Sequence, residues 1–122
     1  MTISEAITLG DELYPNAVPA DYKLRQLQTH DGLLYAQLQV QGWLAPGTPA
    51  PDYGMDALDA QLLVPEPYAR DVYGNYLLMG LHRLYDETER YNQAWALYMG
   101  AFERYLRAVL HTVAASGEHF IY

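Results

Sequence analysis

The side chains with chemical potential are few: histidines at 30, 82, 111 and 119, a His30-Asp31 neighbour pair, aspartates at 52, 56 and 59, and glutamates at 87 and 89. A histidine beside a carboxylate is the start of a general base, because the acid fixes the ring's tautomer. His30 and Asp31 fall inside a helical pattern, however, where consecutive side chains diverge by about 100°. The pair is therefore read as a polar or capping contact near a bend. His82, His111 and His119 lack the HExxH or CxxC partners of a built-in metal site, leaving only chelation by isolated histidines. Asp52, Asp56 and Asp59 lack the ligand spacing and closing glutamate of a calcium loop, so they are read as solvated loop acids. Glu87 and Glu89 suit a helix start better than an acid/base pair. "GAFERY" and "GLHRLY" carry single glycines, which make no phosphate cradle. The expectation is a protein that is not an enzyme and holds no cofactor or metal.

The bulk numbers narrow the partners. A length of 122 residues is that of one domain, with a loosely held tail at about 115–122. Cysteine is absent, and no stretch of "MTISEAITLG" has the basic and apolar regions of a secretory signal, so manufacture in the cytoplasm and no membrane partner are expected. Fifteen acidic residues against seven basic ones, with Lys23 the single lysine, give a formal charge of −8. Gripping phosphates requires clustered Lys and Arg, so no sequence-specific nucleic acid binding is expected.

The elements that position these residues follow from caps and periodicity. "TISE" at 2–5 is a capping box that opens a short helix near 2–12. Pro19 suits a first helical position, and Leu24, Leu27, Leu34 and Leu38 continue a helix near 19–41, with a bend expected at Gly32. The segment 42–67 holds five of the seven prolines, which predicts an irregular connection with a short extended piece at "QLLV". Helical spacing resumes near 68–85 and again near 87–114. The fold class expected is all-α, a small bundle of about four helices with a long proline-rich loop at 43–67 between the second and third.

One feature of the last helix invites a functional reading. Tyr91, Trp95, Tyr98, Phe102, Tyr105 and Val109 recur every three or four residues and form an aromatic stripe, expected as a core seam. Full burial of Trp95 at its centre predicts a cost of about 3–5 kcal/mol for truncation to alanine. Twelve tyrosines exceed what a small core needs, and tyrosine is enriched at interfaces. Tyr68 and Tyr73 at the start of the third helix, with Trp43, Tyr53 and Met55 in the loop, are the expected contact points with other subunits. The loop is expected to be mobile, so that deleting 46–54 leaves the helices intact while abolishing assembly.

Four segments, "MTISEAI" with "LYPN", "YKLRQLQTHDGLLY", "LLVPEPYARDVYGNYL" and "ERYNQAWALYMGAFERY", resemble in order and spacing the small head–tail connector (head-completion, adaptor) proteins of tailed phages and prophages of Gram-positive bacteria. The resemblance implies a helical subunit of the virion neck. It would form a ring of about a dozen copies under the portal protein, extend the DNA channel, and meet a head-closure or tail protein below. Gly74, Gly80 and the ending "AASGEHFIY" depart from the pattern. The competing reading is a cytoplasmic helical protein-binding module, dimeric or not; a helix-turn-helix regulator lacks the necessary short turn and basic face.

Duplex DNA should bind the isolated protein no better than about millimolar near physiological salt, because scattered cations among excess acids neutralise no run of phosphates. An anisotropy titration checks this, and micromolar binding would contradict it.

Overall fold

Thr2 begins the first helix by the expected exchange: its Oγ1 accepts from Glu5 N at 3.1 Å and its own N–H donates to Glu5 Oε1 at 3.0 Å. The Thr2 N–H bond, with a smaller contribution from the Thr2 hydroxyl, holds the Glu5 carboxyl below its ordinary value. The computed structural model describes residues 1–116. It contains α1 (Ile3–Leu13), α2 (Ala20–Val40), α3 (Ala69–Leu84) and α4 (Thr88–Ser116), and no strand among the described residues. The protein is thus all-α. At "QLLV", where an extended piece is expected, an isolated bridge pairs Gln61 with Thr2 and the chain bends at Leu63 and Val64. Pro19 occupies the N-cap rather than the first helical position, with an extended ψ of 148°. At Gly32, where a bend was expected, α2 continues as one helix. The tail residues 117–122, including His119, lie outside the described residues.

The helix termini explain how the long connection is held. The first N–H groups of a helix have no partner inside it. In α1 two of them are taken by the connection, with Ile3 N donating to Ala60 O at 3.1 Å and Ser4 N to Leu58 O at 2.8 Å. Leu62 N returns a bond to Met1 O at 3.0 Å. On its other side the connection is tied to α2: Gln28 donates to Pro51 O at 2.9 Å and accepts from Tyr53 N at 2.7 Å, while Tyr35 donates to Thr48 O at 2.5 Å. The segment expected to be mobile and separable is therefore pinned at both ends and in its middle. Removing 46–54 would cut every one of these bonds to α2.

Helix α3 is the element against which α1, α2 and α4 all pack. Its approach to α1 depends on missing side chains, since a Cβ on Gly74 would stand 3.2 Å from Leu9 Cδ2 and one on Gly10 3.2 Å from Leu77 Cδ1. Gly74, a departure from the connector pattern, thus lets α1 and α3 come together. Lys23, only 3% exposed, bridges α1 to α2 by donating to Asp11 Oδ1 at 2.5 Å and to Val18 O at 2.9 Å. No helix among the described residues is long and apolar enough to cross a membrane.

The α3–α4 junction is a Schellman turn. Asp86 adopts a left-handed φ of 55°, its N–H donates to Arg83 O, and Glu87 N donates to His82 O at 2.9 Å. Glu87 then acts as a clamp, accepting from Tyr14 OH at 2.5 Å and from Arg90 at 3.1 Å, with His82 Nδ1 at 3.4 Å. The Tyr14 hydroxyl, helped by His82 and Arg90, holds the Glu87 carboxyl below its ordinary value of 4.5. A lowered carboxyl contributes stability that is complete above its unfolded value and is lost as pH falls through the folded one. Glu87→Gln should therefore reduce the pH dependence of the melting temperature below about pH 4.5 and lower the melting temperature near neutrality. Parallel thermal melts of the two proteins at stepped acidic pH check it.

Candidate functional site

Asp31 is completely buried and lies where α2, α3 and the connection meet. Four donors converge on its carboxylate: His30 Nδ1 at 2.9 Å and Tyr73 OH at 2.7 Å on Oδ1, Leu63 N at 2.9 Å and the Tyr53 hydroxyl on Oδ2. A buried carboxylate is tolerable only when so satisfied. Tyr73 OH in turn accepts from Val64 N at 2.8 Å, so one phenol links helix, carboxylate and connection. Burial, then the Asp31 charge, pushes that phenol far above its ordinary value, which keeps it a donor. The His30 ring folds back to Asp31, so the pair is the polar contact expected, within a continuous helix.

His30 is the hub of an aromatic cluster. Its ring lies 4.8 Å from Tyr76, 5.2 Å from Tyr73, 5.6 Å from Tyr98 and 5.9 Å from Phe102, each near-perpendicular. The three donors on Asp31 other than His30 require Nδ1 to carry the proton it shares, so in the neutral ring Nε2 presents a lone pair. That atom is buried and has no hydrogen-bond partner among the described residues. Beside it a cavity of about 150 Å³ is walled by His30, Leu33, Leu34, Gln37, Tyr76, Tyr98 and Phe102. Burial raises the Tyr76 and Tyr98 phenols, so both line the cavity as neutral hydroxyls.

The expected contact residues divide. Tyr73 is fully enclosed and belongs to the buried network, so it is withdrawn from any subunit interface. Tyr53 is partly buried and fastened to Asp31; Trp43 is partly buried against the core. Tyr68 is half-covered and packs its ring 6.1 Å from Tyr105. Met55 is half exposed at the surface of the connection. Along the stripe, Tyr105 and Val109 are buried, Tyr98 and Phe102 are half-buried in the cluster, and Tyr91 sits at the α3–α4 turn accepting from Arg83 at 2.9 Å. Trp95 is 48% exposed, which removes it from the core and cancels the large cost expected for its truncation. The buried face of α4 is centred instead on Ala94, Ala101 and Tyr105, where small residues let the helix approach α3.

With that rotation, Trp95, Met99, Phe102, Leu106 and Leu110 form a continuous ridge at the edge of the buried stripe, half-covered or exposed along its length. The backbone of α4 approaches α3 and no other helix, so α2 and α4 flank a cleft closed only by side chains. No group of three or more His, Cys, Asp or Glu that could hold a metal exists among the described residues. Asp52, Asp56 and Asp59 stand exposed or at the surface of the connection and make no such group. No family model, curated protein or solved structure matches the chain.

The network generates a stability prediction. Tyr53→Phe removes one charge-assisted bond and leaves a buried lone pair of Asp31 unmatched, and should cost about 1.5–3 kcal/mol. Asp31→Ala strands several buried donors and should cost more, about 3–5 kcal/mol. Denaturant melts of both variants check the values and the order.

Proposed function

We propose that this chain is a structural subunit of a head–tail connector, assembling around a portal so that neighbouring copies meet along the apolar ridge of α4. The observation that carries the reading is the ridge itself. A helix of 29 residues whose backbone, among the described helices, comes close to α3 alone leaves Trp95 48% and Leu110 51% exposed, with Met99, Phe102 and Leu106 between them. Apolar area arranged this continuously on an outer helix is characteristic of a surface awaiting a protein. The resemblance of the four segments to connector subunits supplies the partner: adjacent copies in a ring, in contacts where one face of a subunit meets a different face of the next. A charge of −8 suits a wall that DNA slides past, because it repels phosphates.

Heterologous contacts of this kind are weak singly and become favourable when a template holds many neighbours at once. The free protein is therefore expected to be a monomer, and ring formation to require portal-bearing heads. Trp95→Asp combined with Leu110→Asp should leave the melting temperature within a few degrees, since both side chains are half in water already. The same variant should fail to join portal-bearing particles. Incorporation at the unaltered level, read by sedimentation of particles, would refute the assignment of the ridge; a stable dimer in free solution would favour a dimeric binding module.

A further inference from the structure

We propose that the His30 cavity between α2 and α4 is a socket for the side chain of an arginine from a partner protein. The inference stands apart from the connector reading, and the isolated chain suffices to test it.

Its basis is an unmet requirement in the wall of a shaped site. His30 is 4% exposed, its Nδ1 is committed to Asp31, and Nε2 at the far end of the ring has no partner among the described residues. An orphaned buried acceptor costs about 1–3 kcal/mol, which a donor arriving from outside would recover. The orientation is also favourable. Asp31 fixes the proton on Nδ1, and its negative charge, relayed through the ring, makes Nε2 a stronger acceptor.

The walls select the donor. Tyr76, Tyr98 and Phe102 present aromatic surface, and no Lys or Arg lines the cavity. Aromatic faces attract cations, and guanidinium stacks on them while keeping its in-plane N–H groups free to donate. Asp31 has no lysine or arginine among its hydrogen-bond partners, and the chain as a whole carries a charge of −8, so a cation complements the site at both short and long range. A volume of about 150 Å³ equals the share of about five waters, enough for a guanidinium head and part of its stem. Nε2 is itself buried, so reaching it requires a wall side chain to move, and Tyr98 and Phe102 are candidates. Both are half-exposed and belong to the helix whose backbone does not approach α2.

The test is an NMR titration of the full chain with n-propylguanidinium, observing the His30 imidazole and the Tyr76 and Tyr98 rings. Saturable shifts at His30 are expected, at least about tenfold weaker with the neutral, isosteric n-propylurea. Tyr98→Leu, which removes one wall and leaves the Asp31 bonds in place, should weaken the response several-fold while the His30 Nδ1–H stays protected from solvent exchange; Phe102→Leu serves equally should the first variant fold poorly. Absence of a saturable shift at His30, an equal response to the urea, or a response unaltered in the wall variants would each overturn the proposal.

Discussion

The carboxylate of Asp31 is the constraint on which the arrangement of the chain depends. Its donors come from its own helix, from α3 and from two places in the connection, so a single buried charge sets the position of all three. Such a site gains little net energy over an apolar core of equal volume, because taking a charge out of water is costly. What an apolar core lacks is direction. Leucines in place of Asp31, Tyr53 and Tyr73 would bury similar area, yet would allow a proline-rich connection to settle in many registers. Four directional bonds allow one.

That division of labour explains where the rest of the stability lies. The connection satisfies the open N-terminus of α1 and borrows the side chains of α2 for its own backbone, so a segment without regular structure still pairs backbone groups with both helices. Glycines at 10 and 74 bring α1 close to α3, and the Lys23–Asp11 bond holds α1 to α2. Directional contacts thus fix the inner helices and the connection. α4 is held differently, by burial along one face and by the turn around Asp86 and Glu87.

Much of this was legible in the sequence, and the misses have a common origin. The capping box, the four helices and the irregular connection follow from local signals, and their ends fall within a residue or two of those expected. The Asp31 network was not legible, since its partners lie 22, 32 and 42 residues away and no periodicity links them. Tyr73 was misplaced for the same reason: tyrosine is common at interfaces, and only a buried carboxylate within reach makes it a core residue. The stripe on α4 was recognised but centred wrongly. Periodicity reports that one face is apolar without reporting how far the apolar arc extends beyond the buried part. Alanines at 94 and 101, which carry no aromatic signal, mark the true centre because they allow the helix to come close.

The rotation of α4 has a consequence for what the protein can do. Had Trp95 faced α3, the aromatic residues would all be spent on the core, and the outer surface of α4 would be polar. Turning the helix so that Ala94 and Ala101 take the tightest contact places Tyr98 and Phe102 over the His30 ring and leaves Trp95 and Leu110 outside. Stability argues against such a choice, since half-exposed tryptophan contributes less than a buried one. An arrangement that forgoes buried area to present apolar and aromatic side chains is explained by what those side chains meet when another protein arrives. The ridge and the His30 cavity share Phe102, so a partner lying along the ridge would also cover the cavity's mouth. Packing on the ridge would then supply area, and the buried histidine acceptor would supply the directional bond that distinguishes one partner from another.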